Sequence, residues 1–132
     1  MNYWMVKTEP STYSWEDFQE RGEDVWDGVR NYQARNFLKE MRLGDPVLFY
    51  HSGKDKAVVG VAEVSEEAFP DPKDGDWVAV KLKVNSALPN PVSLQSIKAE
   101  DLLSEMLMLR QSRLSVMSVT DQEFELILKM GK

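Results

Sequence analysis

What most constrains this chain is its punctuation. Capping residues, prolines and glycines cut its 132 residues into short segments with no regular strand–helix alternation. That pattern argues for an α+β domain rather than alternating βα layers. Tyr3–Lys7, rich in aromatic and β-branched residues, reads as a first strand, ended by Thr8-Glu9-Pro10-Ser11 because the residue before a proline is held in an extended conformation. Ser14-Trp15-Glu16-Asp17 is a capping box that opens a helix from Trp15 to about Arg21, with Gly22 as its C-terminal cap. Asn31 is placed to cap a second helix, whose Ala34, Phe37, Leu38 and Met41 recur at the spacing of one buried face. Leu43-Gly44-Asp45-Pro46 stops that helix.

Beyond it, Val47–Ser52 reads as a short buried strand and Gly53–Lys56 as a polar turn. Ala57–Phe69 is a long strand in which Gly60 marks a bulge or a close backbone approach. The residues from Phe69 to Asp76 read as an irregular, solvated acidic loop, and Trp77–Val84 as a half-buried strand. Ala87–Pro91 is extended and turn-like, Ser93 caps a short helix through about Ala99, and Glu100–Leu107 suits another turn or two of helix. Met106–Leu109 is apolar enough to be buried, and Leu114–Val119 reads as the last strand. A second capping box, Thr120-Asp121-Gln122-Glu123, opens a final helix with Phe124, Ile127 and Leu128 on its apolar face and Gly131 at its end. About five or six strands and three to five short helices are expected, around a mixed or mainly antiparallel, strongly curved sheet.

The length fits one domain over residues 1–132 that needs no covalent staples. With no cysteine, disulfides, thiolate chemistry and cysteine-ligated zinc are excluded. No apolar run approaches the roughly 20 residues of a membrane helix, and the N-terminus lacks the pattern of a signal peptide, so a cytoplasmic protein with no membrane partner is expected. The net charge of −6 excludes a general polyanion binder. A local positive site remains open, because Arg30, Arg35, Lys39 and Arg42 cluster in one region and Arg110 and Arg113 in another.

The stretch Trp26–Asn36 concentrates two aromatics, two arginines, two amides flanking Tyr32 and a permissive glycine in eleven residues. Taken singly, Trp26 and Tyr32 suit a core, and Arg30 and Arg35 a solvated face. Together they read as a binding loop leading into a helix, where Trp26 and Tyr13 can stack a base and exposed N–H groups can receive an anion or a flat polar ligand. Lys7 and Glu9 end the first strand, Tyr50, His51 and Ser52 end the middle one, and Arg110, Gln111, Ser112 and Arg113 precede the last. Strand ends are where ligand sites are commonly built. The sequence lacks G-x-S-x-G, G-x-G-x-x-G and the P-loop motif, and His51 stands alone as the only histidine, so no catalytic residue, metal site or cofactor is expected.

Five motifs carry a family resemblance: Trp4–Pro10, Trp26–Asn36, Phe49–Ser52, Val59–Val64 and Leu109–Val116. Read together, they closely resemble the EVE domain family over almost the whole chain. The resemblance implies a PUA-like fold, a small curved β-barrel with helices around it. It also implies a non-enzymatic module that takes one base, a modified cytosine or another modified base of DNA or RNA, into a pocket. Carried across the motifs, that pocket lies among Lys7, Glu9, Trp26, Gly28, Val29, Arg30, Asn31, Tyr50, His51, Ser52, Arg110, Gln111, Ser112, Arg113 and Ser115, with Tyr13 beside it. Arg30, Arg35, Arg110 and Arg113 are the phosphate contacts this reading expects. Ser118 and Phe124 depart from the family pattern, which has proline and often tryptophan there, but both lie outside the implied pocket. A single flipped base needs only a local basic rim, in keeping with an acidic chain. Two alternatives stay open at this stage: an enzyme acting on a nucleotide or modified base through His51 or Glu9, and a sensor of a free nucleoside or metabolite.

Overall fold

The computed structural model describes residues 1–132. Six strands form one mixed sheet: β1 (Tyr3–Thr8), β2 (Glu23–Trp26), β3 (Pro46–His51), β4 (Ala57–Asp71), β5 (Asp74–Ser93) and β6 (Val116–Val119), hydrogen-bonded in the order β2-β5-β4-β3-β1-β6. Five α-helices surround it, α1 (Trp15–Arg21), α2 (Tyr32–Glu40), α3 (Leu94–Ala99), α4 (Leu107–Arg110) and α5 (Asp121–Met130), with one 3-10 turn at Asp101–Leu103. Only β1 and β3 pair in parallel, which requires the long crossover that carries α1, β2 and α2. The fold is the α+β arrangement expected, a mixed sheet with short helices.

The helix starts fall where their caps put them. Ser14 and Thr120 each close a reciprocal capping box, and the side chains of Asn31 and Ser93 accept from Ala34 N–H and Ser96 N–H. At the end of α2, the buried Asp45 carboxylate takes the indole N–H of Trp4 at 2.9 Å and the backbone N–H of Arg42 at 3.0 Å, so the turn is anchored to β1.

Four expectations need correcting. The segment Phe69–Asp76 is not an irregular solvated loop. It is the tip of a long hairpin, with β4 running to Asp71 and β5 starting at Asp74, and Asp71 is buried. The Trp77–Val84 strand is the middle of the much longer β5, which also takes in Ala87–Pro91. Trp26, expected to open a binding loop, instead ends β2 (Glu23–Trp26), which pairs with Val80–Lys83 of β5. The last strand is shorter than expected, starting at Val116 instead of Leu114. Repeated register shifts along β4 and β5 bend this pair.

Alternation along β1 and β3 separates two faces. Trp4, Val6 and Thr8 with Phe49 and His51 face α1 and α2; Trp15 packs on Phe49 at 5.0 Å between ring centroids and Phe37 on Trp4 at 6.0 Å. Tyr3, Met5 and Lys7 with Leu48 and Tyr50 face the other way, where Tyr3 lies 4.5 Å from Phe124 of α5. Gly60 is a close approach as well as a bulge: a Cβ there would overlap the indole of Trp15. Gly60→Ala is therefore expected to destabilise the domain by roughly 1–3 kcal/mol in urea unfolding, whereas Gly75→Ala, where nothing lies within 4 Å, should stay within about 0.5 kcal/mol of the parent.

Candidate functional site

Two concavities open at the carboxyl ends of β1 and β3, one on each face of the sheet. The first, of about 360 Å3, is lined by Thr8 of β1, Thr12 and Tyr13 from the following turn, Asp24, Val25 and Trp26 of β2, Asp27, Gly28 and, from the hairpin tip, Lys73. Tyr13 and Trp26 meet edge to face at 6.1 Å and 70°, and Trp26 is held in turn against Phe49 at 5.6 Å. The Tyr13 hydroxyl donates to Asp24 Oδ2 at 2.7 Å. Burial, with that bond to a carboxylate, pushes the Tyr13 hydroxyl well above its ordinary value, so it stays protonated as a donor. Thr8 Oγ1 donates to the carbonyl of Tyr13 at 2.9 Å and ties the turn to the strand. Two carboxylates, Asp24 and Asp27, border this space, with the Lys73 ammonium 3.5 Å from Asp27.

Buried behind this lining, Asp71 ties Gly28 to the hairpin tip. One of its oxygens accepts from Gly28 N–H at 2.9 Å and Arg30 Nη1 at 3.0 Å, and the other accepts from Lys73 N–H at 2.7 Å. Burial alone would raise the carboxyl pKa, but the hydrogen bonds from Arg30, Gly28 and Lys73, with the Arg30 charge, outweigh it and hold the group at about 2. Gly28 takes φ +77°, a conformation that directs its N–H to Asp71 and that a residue with a Cβ rarely adopts. Outside the hairpin, Arg30 and Arg35 stack over Trp77 at 5.7 and 5.3 Å, and Arg35 also lies over the exposed Tyr32 at 4.9 Å.

The second concavity, about 270 Å3, is lined by Lys7, Tyr50, Ser52, Gly53, Lys56, Leu94, Met108 and Ser112. Residues expected to share one pocket are thus divided between two faces. Tyr13, Trp26 and Gly28 line the first space, while Lys7, Tyr50, Ser52 and Ser112 line the second.

The rest line neither. Val29 is buried, Asn31 caps α2, and Arg30 is paired with Asp71. His51 is buried between elements: its Nε2 accepts the Trp15 N–H at 2.9 Å, which leaves the proton on Nδ1, 3.1 Å from Asp55. Glu9 folds its carboxylate onto Ser11 and packs against Gly53. Arg110 pairs with Glu105 at 3.4 Å on the surface, Gln111 caps α4, and the Ser115 carbonyl accepts from Lys7 N–H. The exposed Arg113 makes no ion pair. No group of three His, Asp or Glu side chains converges as a metal site would, and no helix is long and apolar enough to cross a membrane.

The profile of the EVE domain family matches residues 2–130. The chain belongs to the EVE domain family. Thymocyte nuclear protein 1 of Mus musculus is 32% identical over 165 residues, covering 98% of this chain and 73% of that protein. The solution structure of Rpa0253 from Rhodopseudomonas palustris superposes with a TM-score of 0.95 at 44% identity, covering 99% of this chain and 93% of the other. Human THYN1, in a crystal structure with DNA containing 5-methylcytosine, superposes with a TM-score of 0.94 at 27% identity, covering 100% and 98% of the two chains. A YTH domain from Zygosaccharomyces rouxii, at a TM-score of 0.65 and 19% identity over 99% and 86% of the two chains, shares the fold.

In this EVE domain, sequence reasoning missed Thr8, Thr12, Asp24, Val25, Asp27 and Lys73 in the first concavity. Asp24 and Asp27 bracket Trp26 in the sequence, whereas Lys73 is brought there only by the hairpin. Asp71→Asn is expected to cost on the order of 2 kcal/mol at neutral pH, because it leaves Arg30 and Gly28 poorly paired. Its ionised form is favoured by folding, so the stabilisation is fully present above about pH 4 and is lost as pH falls through about 2. Denaturation of parent and variant across that window should show the two converging at the acid end.

Proposed function

We propose that this EVE domain is a non-catalytic reader that takes a single modified cytosine of DNA into the concavity between Tyr13, Trp26 and the hairpin tip. The observation that carries this reading is the pairing of an aromatic wall with two bordering carboxylates. Carboxylates repel a phosphate, yet they accept hydrogen bonds from the exocyclic amine of cytosine. The space therefore suits a base whose phosphates stay outside. Human THYN1 bound to DNA containing 5-methylcytosine supports the choice of ligand, since that protein covers this whole chain with the same fold.

The half-buried Trp26 offers a stacking surface, and Lys73 offers a donor for a base acceptor or a neighbouring phosphate. A base enters such a space only after leaving its stack, so an unpaired or mismatched target is favoured by the unstacking energy saved. The only histidine supports a binding role over catalysis, since both of its ring nitrogens are engaged by Trp15 and Asp55.

Fluorescence anisotropy with single- and double-stranded oligonucleotides tests this reading. One buried methyl group contributes roughly 0.8 kcal/mol, so 5-methylcytosine should bind about fourfold tighter than cytosine in the same strand. Trp26→Ala should lose roughly 10-fold or more, the value of one stacked base, and Trp26→Phe should retain most of the affinity with an unchanged circular dichroism spectrum. Binding that ignores both the methyl group and Trp26 would sink the reading.

A further inference from the structure

We infer that the second concavity, on the opposite face of the sheet, is an oxyanion site in its own right, built to take a phosphate-type group on a small body. It does not depend on the base-reading assignment. Lys7 brings its ammonium into this space 3.2 Å from the carbonyl of Ser112 and 5.6 Å from the centre of the Tyr50 ring. No carboxylate lies within ion-pair distance of Lys7, nor of Lys56 across the cavity, although acidic residues outnumber basic ones 22 to 16 in the chain. Three lysine ammoniums do make ion pairs, those of Lys73, Lys81 and Lys83, each beside an aspartate or glutamate; what sets Lys7 apart from the remaining unpaired lysines is its place in a cavity.

A partly desolvated cation without a counter-charge is costly to fold around, and an anion that enters restores the balance. Partial burial pushes the Lys7 ammonium below its ordinary value and the Tyr50 hydroxyl above its own, as expected where the charged form loses some of its water.

The neutral donors agree. Tyr50 is only 4% exposed, and its hydroxyl makes no hydrogen bond within the chain. Ser52 also lines the space, and its backbone N–H is spent on Thr8, which leaves its hydroxyl for a ligand. Glu9, just beyond β1, turns its carboxylate to Ser11 and packs against Gly53. Lys7, Lys56, Tyr50 and Ser52 thus border one space, while Leu94 and Met108 supply an apolar wall. That wall and the volume of about 270 Å3 leave room for a small body carrying the anionic head. A phosphate offers the oxygens this donor set needs, whether it belongs to a free mononucleotide or to a nucleic-acid strand.

The site is tested by NMR on the full chain with two reporters, the methyl group of Met108 for this cavity and the indole N–H of Trp26 for the other. Inorganic phosphate, deoxycytidine monophosphate, deoxycytidine and an oligonucleotide are titrated separately. The expected result is a saturable Met108 shift with at least one phosphate-bearing probe and none with deoxycytidine. Lys7→Met, which keeps the stem and removes the charge, should weaken that response 10-fold or more, and Tyr50→Phe should weaken it less. Saturation by phosphate or the mononucleotide identifies a small-anion site, whereas a Met108 response to the oligonucleotide alone identifies a strand phosphate. No saturable Met108 shift with any phosphate-bearing probe, or an equal response in folded Lys7→Met, overturns the proposal. A Trp26 shift in that case would leave the base reading intact, and a Met108 shift without one would do the reverse.

Discussion

The carboxylate of Asp71 holds together what would otherwise be two unrelated loops. It sits at the end of β4, buried, and accepts from Gly28 and Arg30 on one side and from Lys73 of its own turn on the other. Through it, the tip of the longest hairpin is fixed over the segment between β2 and α2. Each partner depends on a local feature: Gly28 on a left-handed backbone, Arg30 on its stacking over Trp77, Lys73 on a two-residue turn. Remove the carboxylate and Trp26 keeps its core contact with Phe49, but the wall opposite it loses its anchor.

The parallel pairing of β1 with β3 gives the sheet a common carboxyl end, and both concavities open there. Because successive residues of a strand point to opposite faces, Thr8 serves one space and Lys7 the other. The two differ in charge as well as in position. Carboxylates border the aromatic space, and ammoniums border the space on the other face. A domain of net charge −6 thus separates a surface suited to a neutral base from one suited to an anion.

Much of this was legible in the sequence. Ser14, Asn31, Ser93 and Thr120 each announced a helix start, because a cap acts within four residues and needs no tertiary partner. Gly60 announced a constraint, though not the Trp15 ring that imposes it. What stayed hidden depends on pairing at long range. Asp71 looks like one more aspartate in an acidic run until Arg30 and Gly28 are brought to it, and Glu23–Trp26 becomes a strand only because β5 offers an edge. The family motifs run the strand-end residues together along the sequence, but strand alternation sends Thr8, beside Trp26, to one face and Lys7 to the other.

The most direct test of the central claim is where a bound base lies. An oligonucleotide carrying 5-iodocytosine at the target position can be photocrosslinked to the protein, and the adduct located by mass spectrometry after digestion. A base held in the aromatic concavity should crosslink to Tyr13 or Trp26, whose rings wall it. A crosslink confined to residues of the opposite face, such as Tyr50 or Met108, would contradict it.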